Sequence, residues 1–272
     1  MPTIDVDQGQ VVLHYHDTGT GDPPVVLIHG FPFNSNQWQP QLATLVQRYR
    51  IIAPDLRGFG ASAPSPVPYT LIRLADDIDE MLDILQIARA VICGLSMGGY
   101  VAFELFRRHR RRVAALVLAD TRPQPDSDQA RLDRGRQAQL ARAEGVAPLV
   151  EGLLPKLVAP VTRQRSPDVL RAVREMMEAA PPQAVADALM AMAARDDSVS
   201  ILAQIDVPTL VVVGSEDAIT PASETREWAA RIPGAQVAVI AGAGHLSNLE
   251  RPETFDSVLE SFLDSLPAEA VR

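Results

Sequence analysis

The sequence predicts an α/β protein built on a mostly parallel, doubly wound sheet. Three observations carry that prediction: apolar β-branched runs recur along the chain, helical patterns separate most of them, and the alternation lapses once, over residues 121–200. The runs lie at 25–28, 51–53, 90–92, 113–118, 210–213 and 237–240. They are continuous rather than alternating in polarity, which suits strands covered by helices on both faces.

The first element expected is an antiparallel hairpin, residues 3–6 against 11–15, turned at Asp7-Gln8-Gly9-Gln10. Between later runs, Leu71, Leu74, Ala75, Ile78, Met81, Leu82 and Leu85 recur at three-to-four spacing, the mark of an amphipathic helix. Strands alternating with such helices make a doubly wound sheet. Residues 121–200 hold no β-branched run and read as about four helices. They carry eleven basic and eleven acidic side chains, so the remainder holds the whole net charge of −9. The expected organisation is a core of residues 1–120 and 201–272 with a helical lid, 121–200, inserted into it. Of its apolar side chains Leu149, Leu153, Met176, Met177 and Met190, some are expected to face a pocket and the rest to pack.

A chain of 272 residues with 47% hydrophobic and 22% charged side chains has the balance of a globular protein and ample material for a core. Its net charge of −9 argues against sequence-independent nucleic-acid binding, which needs a basic face. The dense basic run at 107–112, interrupted only by His109, falls at a helix end, where cations complement the helix dipole. The single cysteine, Cys93, excludes an internal disulfide, offers no metal cluster, and reads as a buried strand residue. Met1-Pro2-Thr3-Ile4-Asp5 lacks the regions of a signal peptide, and no apolar run approaches a membrane span. A cytoplasmic protein without a membrane partner is expected; oligomeric state is open.

The strongest local signal is Gly94-Leu95-Ser96-Met97-Gly98-Gly99, directly after one apolar run and before a helical one. A serine in a sharp strand-to-helix turn has its hydroxyl pushed out at the carboxyl edge of the sheet, and the crowding demands glycines two positions either side. A serine hydroxyl needs a base to take its proton. Of the five histidines, His14 and His16 lie in the hairpin and His109 in the basic helix end. His245, in Ala241-Gly242-Ala243-Gly244-His245 after the last run, is placed to reach the same sheet edge. The base needs an acid to fix its tautomer. Asp217, in the loop after the run at 210–213, fits; its neighbour Glu216 would point elsewhere, and Asp120, beyond Leu118, is a competitor. The oxyanion of a tetrahedral intermediate would be met by the backbone N–H groups of Met97 and Phe31, in a loop where Gly30 permits the bend and His29 organises hydrogen bonds.

Together, His29-Gly30-Phe31-Pro32, Asp55-Leu56-Arg57-Gly58-Phe59-Gly60-Ala61-Ser62, Gly94-Leu95-Ser96-Met97-Gly98-Gly99, Asp217 and Gly244-His245 resemble the α/β-hydrolase superfamily from about residue 10 to 265. Ser96, Asp217, His245 is that superfamily's chain order for the triad. The resemblance makes the loop of Asp55 and Arg57 architectural rather than catalytic. Within the superfamily the sequence is similar to the branch holding 3-oxoadipate enol-lactonases, small carboxylesterases and metal-free perhydrolases. Serine at 96 departs from epoxide hydrolases and haloalkane dehalogenases, which use aspartate. Met97 departs from proline iminopeptidases, and Phe31 stands where perhydrolases usually carry tryptophan, leaving that activity a side reaction at most.

The expected activity is hydrolysis of a small-molecule carboxylic ester or lactone through an acyl-enzyme on Ser96, with no metal or organic cofactor. Two alternatives stay open at this level. One is a carbon–carbon bond hydrolase acting on a β-diketone or ring-cleavage product. The other is a non-catalytic ligand-binding receptor on the same fold.

Overall fold

A computed structural model describes residues 2–267, so Met1 and residues 268–272 of the expected core lie outside the described residues. Eight strands form one sheet in the order β1-β2-β4-β3-β5-β6-β7-β8. They are β1 (Thr3–Val6), β2 (Val11–Asp17), β3 (Pro24–Ile28), β4 (Arg50–Pro54), β5 (Ala90–Leu95), β6 (Val113–Ala119), β7 (Thr209–Gly214) and β8 (Gln236–Ile240). The hairpin β1–β2 is antiparallel, β2 joins β4 antiparallel, and every later pairing is parallel. Each expected run is a strand, within two residues at its ends except for β5, which continues three residues beyond 92 to Leu95.

The continuous apolar runs follow from the two-sided core. Val26 and Ile28 of β3 and Ile92 of β5 face one hydrophobic cluster, whereas Val25, Leu27, Val91 and Cys93 face the other. Successive side chains of a strand point to opposite faces, so both sets must be apolar when helices cover both sides. Helices α2 (Leu71–Ile84) and α3 (Met97–His109) and α9 (Ala222–Ala229) cover the first face. Helices α1 (Gln39–Leu45), the short α10 (Ser247–Glu250) and α11 (Pro252–Asp264) cover the second. Cys93 is fully buried, and burial pushes its thiol pKa up. Most of the basic run at the end of α3 is paired with acids: Arg112 with Asp79 and Asp83, Arg110 with Asp206 and Arg108 with Asp76, while a ring nitrogen of His109 lies 2.6 Å from Asp76 Oδ1.

Between β6 and β7 lie five helices: α4 (Asp128–Glu144), α5 (Ala147–Leu157), α6 (Pro160–Arg165), α7 (Pro167–Glu178) and α8 (Pro182–Ala193). One more than the expected four arises at Ser166-Pro167, because proline supplies no N–H and starts a new helix. Ala138, Ala141, Val185 and Leu189 of α4 and α8 join the first hydrophobic cluster, while Val150, Leu154, Val173 and Met177 of α5 and α7 join the second. The segment therefore straddles the sheet and is bonded into both cores. Among the described residues no helix is long and apolar enough to cross a membrane.

Candidate active site

Strand β5 runs out at Leu95, and α3 begins at Met97, leaving Ser96 alone to make the turn. Its backbone sits at φ 54° and ψ −113°, outside the regions that L-residues readily adopt. Such strain persists only where the surroundings over-determine it. Here they do. A Cβ on Gly94 would come within 2.1 Å of the Gly98 carbonyl oxygen, and one on Gly98 within 2.1 Å of the Ile28 carbonyl oxygen. Glycine at both positions lets β5, α3 and β3 close on one another around the serine. The Ser96 N–H donates to Ala119 O at 2.9 Å, and Thr121 Oγ1 donates to Ser96 O at 2.8 Å, tying the turn to the end of β6.

His245 arrives on the loop after β8, where its own N–H donates to Leu157 O at 3.0 Å. Its Nε2 lies 2.9 Å from Ser96 Oγ, and its Nδ1 lies 2.8 Å from Asp217 Oδ2. Asp217 is in turn held by its own loop: Oδ1 accepts the N–H groups of Ile219 at 2.7 Å and Thr220 at 2.9 Å, and Oδ2 accepts the Thr220 hydroxyl. Burial alone would raise the Asp217 pKa, but the imidazole and the Thr220 donors outweigh it and hold the carboxyl below the usual range. For His245, burial opposes the imidazolium, yet the Asp217 carboxylate prevails and the pKa stands above the ordinary histidine value. An ionised acid thus orients the ring so that Nδ1 carries hydrogen and Nε2 faces the hydroxyl as acceptor. Glu216, next along, is exposed.

The competing acid is close but engaged elsewhere. Asp120 is fully buried at the end of β6, with φ 44°. Its Oδ1 accepts the Gly214 N–H at 2.8 Å, and its Oδ2 accepts the Ser247 hydroxyl at 2.5 Å. Burial first, then the neighbouring Asp217 charge, pushes its pKa up to about 8. Asp120 clasps the loop bearing Asp217 to the helix that follows His245.

The chain matches the family model described as the alpha/beta hydrolase fold over residues 23–252. It belongs to the α/β-hydrolase fold family. A 3-oxoadipate enol-lactonase of Acinetobacter baylyi is 29% identical over 93% of each chain. Among solved structures, a thermophilic esterase from Thermogutta terrifontis, with malate bound, is 40% identical at a TM-score of 0.95, covering 98% of this chain and 99% of that one. The enol-lactonase of Burkholderia xenovorans is 32% identical at a TM-score of 0.89, covering 97% and 100%.

Within this α/β-hydrolase, the loop after β3 packs directly on the turn: a Cβ on Gly30 would stand 3.4 Å from Ser96 Cβ. Among the described residues the N–H groups of Phe31 and Met97 donate to no protein acceptor. His29, fully buried, donates from Nδ1 to Gly30 O at 2.9 Å and accepts the Leu56 N–H on Nε2 at 3.0 Å. Both ring nitrogens are used, so His29 organises the loop, as its position suggests. Asp55 and Arg57 are likewise structural: Asp55 accepts the N–H groups of Ser35 at 2.7 Å and Ala61 at 2.8 Å, and Arg57 pairs with buried Asp77 at 2.6 Å.

The Ser96 hydroxyl opens on an inner chamber of about 100 Å³, walled in part by Phe31, Tyr100, Met192 and Ile219. An outer chamber of about 250 Å³ shares Phe31, Gln137 and Leu153 with it and adds Leu149 and Lys156. Of the apolar residues singled out at 121–200, Leu149 and Leu153 thus line the space, Met177 is buried in the core, and Met190 is 45% exposed. Met192 takes the position at the chamber, because two residues turn an α-helix through roughly 200° and reverse the face.

Motif reasoning missed Arg122, Arg134 and Gln137, which also line the inner chamber. It missed Glu250 too, whose Oε1 accepts the Gly244 N–H at 2.8 Å while Oε2 accepts the Ala159 N–H at 2.8 Å. Glu250 joins the histidine loop to the α5–α6 connection. Its only sequence signal is an acid five residues beyond His245, too weak to separate from an ordinary helical glutamate.

Proposed function

We propose that this α/β-hydrolase cleaves a small carboxylic ester or lactone through an acyl-enzyme on Ser96. The observation that carries the reading is the continuous relay from Asp217 Oδ2 through His245 to Ser96 Oγ, at 2.8 and 2.9 Å. His245 takes the hydroxyl proton as Ser96 Oγ attacks the carbonyl carbon. The resulting oxyanion is met by the free N–H groups of Phe31 and Met97, with the N-terminus of α3 adding its positive end. Collapse expels the alcohol, which leaves with the proton from His245. Water, deprotonated by the same imidazole, then attacks the acyl-enzyme and releases the acid with Ser96 restored. In a lactone the C–O bond broken is that of the ring, so the freed hydroxyl stays on the acyl chain and water releases a single product carrying both it and the carboxylate. No metal or organic cofactor enters the sequence of steps.

The names of the relatives support this choice of bond: the Acinetobacter and Burkholderia proteins are enol-lactonases, and the Thermogutta protein is an esterase. Helices α4 to α8 serve as the lid in this reading, since Leu149, Leu153 and Met192 close the chambers over the serine and keep bulk water out.

Ser96→Ala removes the nucleophile and leaves the amides and chambers in place. It should fold with unaltered circular dichroism and lose at least about a thousandfold in kcat on an ester the wild type turns over. A fluorophosphonate should label the wild type at Ser96 alone and the variant not at all. Retained turnover in the variant would refute the covalent mechanism.

A further inference from the structure

The chain is acidic, yet the space in front of Ser96 is not. With a net charge of −9 overall, the residues lining the two chambers include Arg122, Arg134 and Lys156 and no aspartate or glutamate. Lys156 is the only lysine in the chain, and it makes no ion pair among the described residues. A concave site lined by one sign of charge focuses its field and concentrates ligands of the opposite sign.

Arg122 is the informative member. Arg134 already pairs with buried Asp126, which Arg195 also holds at 2.7 Å. Arg122 forms no ion pair or hydrogen bond among the described residues, and its Nε is buried without an acceptor. Arg89, another arginine with an unmet buried Nε, at least donates to Val113 O at 3.2 Å. Arg122 is half-buried, and a buried donor without an acceptor is costly, so an acceptor that arrives with a ligand in the chamber would satisfy its Nε. Its place is set by its neighbour: Thr121 Oγ1 is bonded to Ser96 O at 2.8 Å, which puts the next residue, Arg122, beside the nucleophile turn. Gln137, which forms no side-chain hydrogen bond among the described residues, faces the same chamber.

We infer that Arg122 is a specificity-determining residue, and that the substrate is an ester or lactone whose acyl part ends in a carboxylate. The inference rests on the ester or lactone reading above. A guanidinium presents a planar fork of donors that fits a carboxylate with two parallel hydrogen bonds. Gln137 supplies a further N–H, and Lys156 at the outer chamber draws the anion in. Because Arg122, Ser96 and His245 wall one chamber of about 100 Å³, the spacer between the two carbonyl carbons is short.

The test uses matched pairs of esters in a pH-stat. Monoethyl glutarate and monoethyl adipate are compared with ethyl 5-methylhexanoate and ethyl 6-methylheptanoate, in which an isopropyl group replaces the carboxylate. The wild type should favour the charged member of at least one pair by about tenfold or more in kcat/KM, the scale of one charge-assisted hydrogen bond. In Arg122→Gln that ratio should fall at least about tenfold, through a higher KM for the charged ester, and Arg122→Lys should restore part of it. A wild type that favours the neutral members, or a ratio unchanged in Arg122→Gln, overturns the inference while the ester hydrolase reading stands. A wild type that turns over none of the four and takes no fluorophosphonate label overturns both.

Discussion

Ser247 Oγ donates to Asp120 Oδ2 at 2.5 Å, so the second buried carboxylate near the site is bonded to the residue two beyond His245 and not to the imidazole itself. The sequence leaves Asp120 and Asp217 as rivals because both follow strands at the same sheet edge. In space they divide the work: Asp217 holds the ring, and Asp120 holds the loops that carry Asp217 and His245.

That division sets the ranking of two variants. Asp217→Asn should lower kcat on the order of ten-thousandfold, as when the acid of a serine-protease triad is replaced by its amide and the histidine takes the wrong tautomer. Asp120→Asn should cost about tenfold or less, since an amide at 120 can still accept the Gly214 N–H and face the Ser247 hydroxyl. Both are measured on one ester under the same conditions. The reverse order would transfer the orienting role to Asp120.

Stability should show the other face of Asp120. Its folded pKa of about 8 is above the unfolded value of 3.8, so the folded state holds this proton more tightly. The resulting contribution is fully present below the unfolded pKa and declines as pH rises through the folded one. Asparagine mimics the neutral acid at every pH. Denaturant midpoints at pH 6 and pH 9 should therefore converge or cross, with Asp120→Asn gaining on the wild type toward the alkaline end. A constant difference between the two proteins would mean that Asp120 is ionised throughout.

Activity should fall on the acid side through His245. In the proposed mechanism His245 works only as the neutral imidazole, and Asp217 holds its pKa above the ordinary histidine value of 6.5 against the opposing effect of burial. The acid limb of kcat/KM should thus have its midpoint above pH 6.5, and the residual activity of Asp217→Asn should titrate at lower pH than the wild type. A wild-type midpoint below 6.5, read from a neutral ester, contradicts the Asp217–His245 coupling.

Chain-length preference should respond to the chamber wall and not to the outer face of α8. Leu153 lines both chambers, so Leu153→Ala should shift relative kcat/KM toward longer acyl chains by about tenfold, the value of one or two methylenes in an apolar pocket. Met190 is 45% exposed, and Met190→Ala should leave the profile across a butyrate-to-decanoate series within about twofold. An equal response from both variants would mean that the wall is not where preference is set.

The strands, their burial on both faces and the chain order of Ser96, Asp217 and His245 are legible in the sequence for a common reason. Each depends on local chemistry: apolar runs of strand length, glycines that a tight turn requires, and loops directly following strands. The same holds for His29, whose place in a glycine-proline loop suggests a structural hydrogen-bonding role. What the sequence could not separate are contacts between residues far apart in the chain. Asp120 meets Ser247 across 127 positions, and Glu250 meets Ala159 across 91. Neither pairing leaves a local pattern, because an acid near a strand end or in a helix looks alike whether it faces solvent, a cap or a buried amide. The helical segment behaves in the same way. Its periodicity identifies helices, but Met190 and Met192 are equally apolar, and only the rotation of α8 against the sheet turned one to solvent and the other to the chamber. Arg122 became informative for that reason too: the loop after β6 brings it beside Ser96, and the folded surroundings give its guanidinium no acceptor.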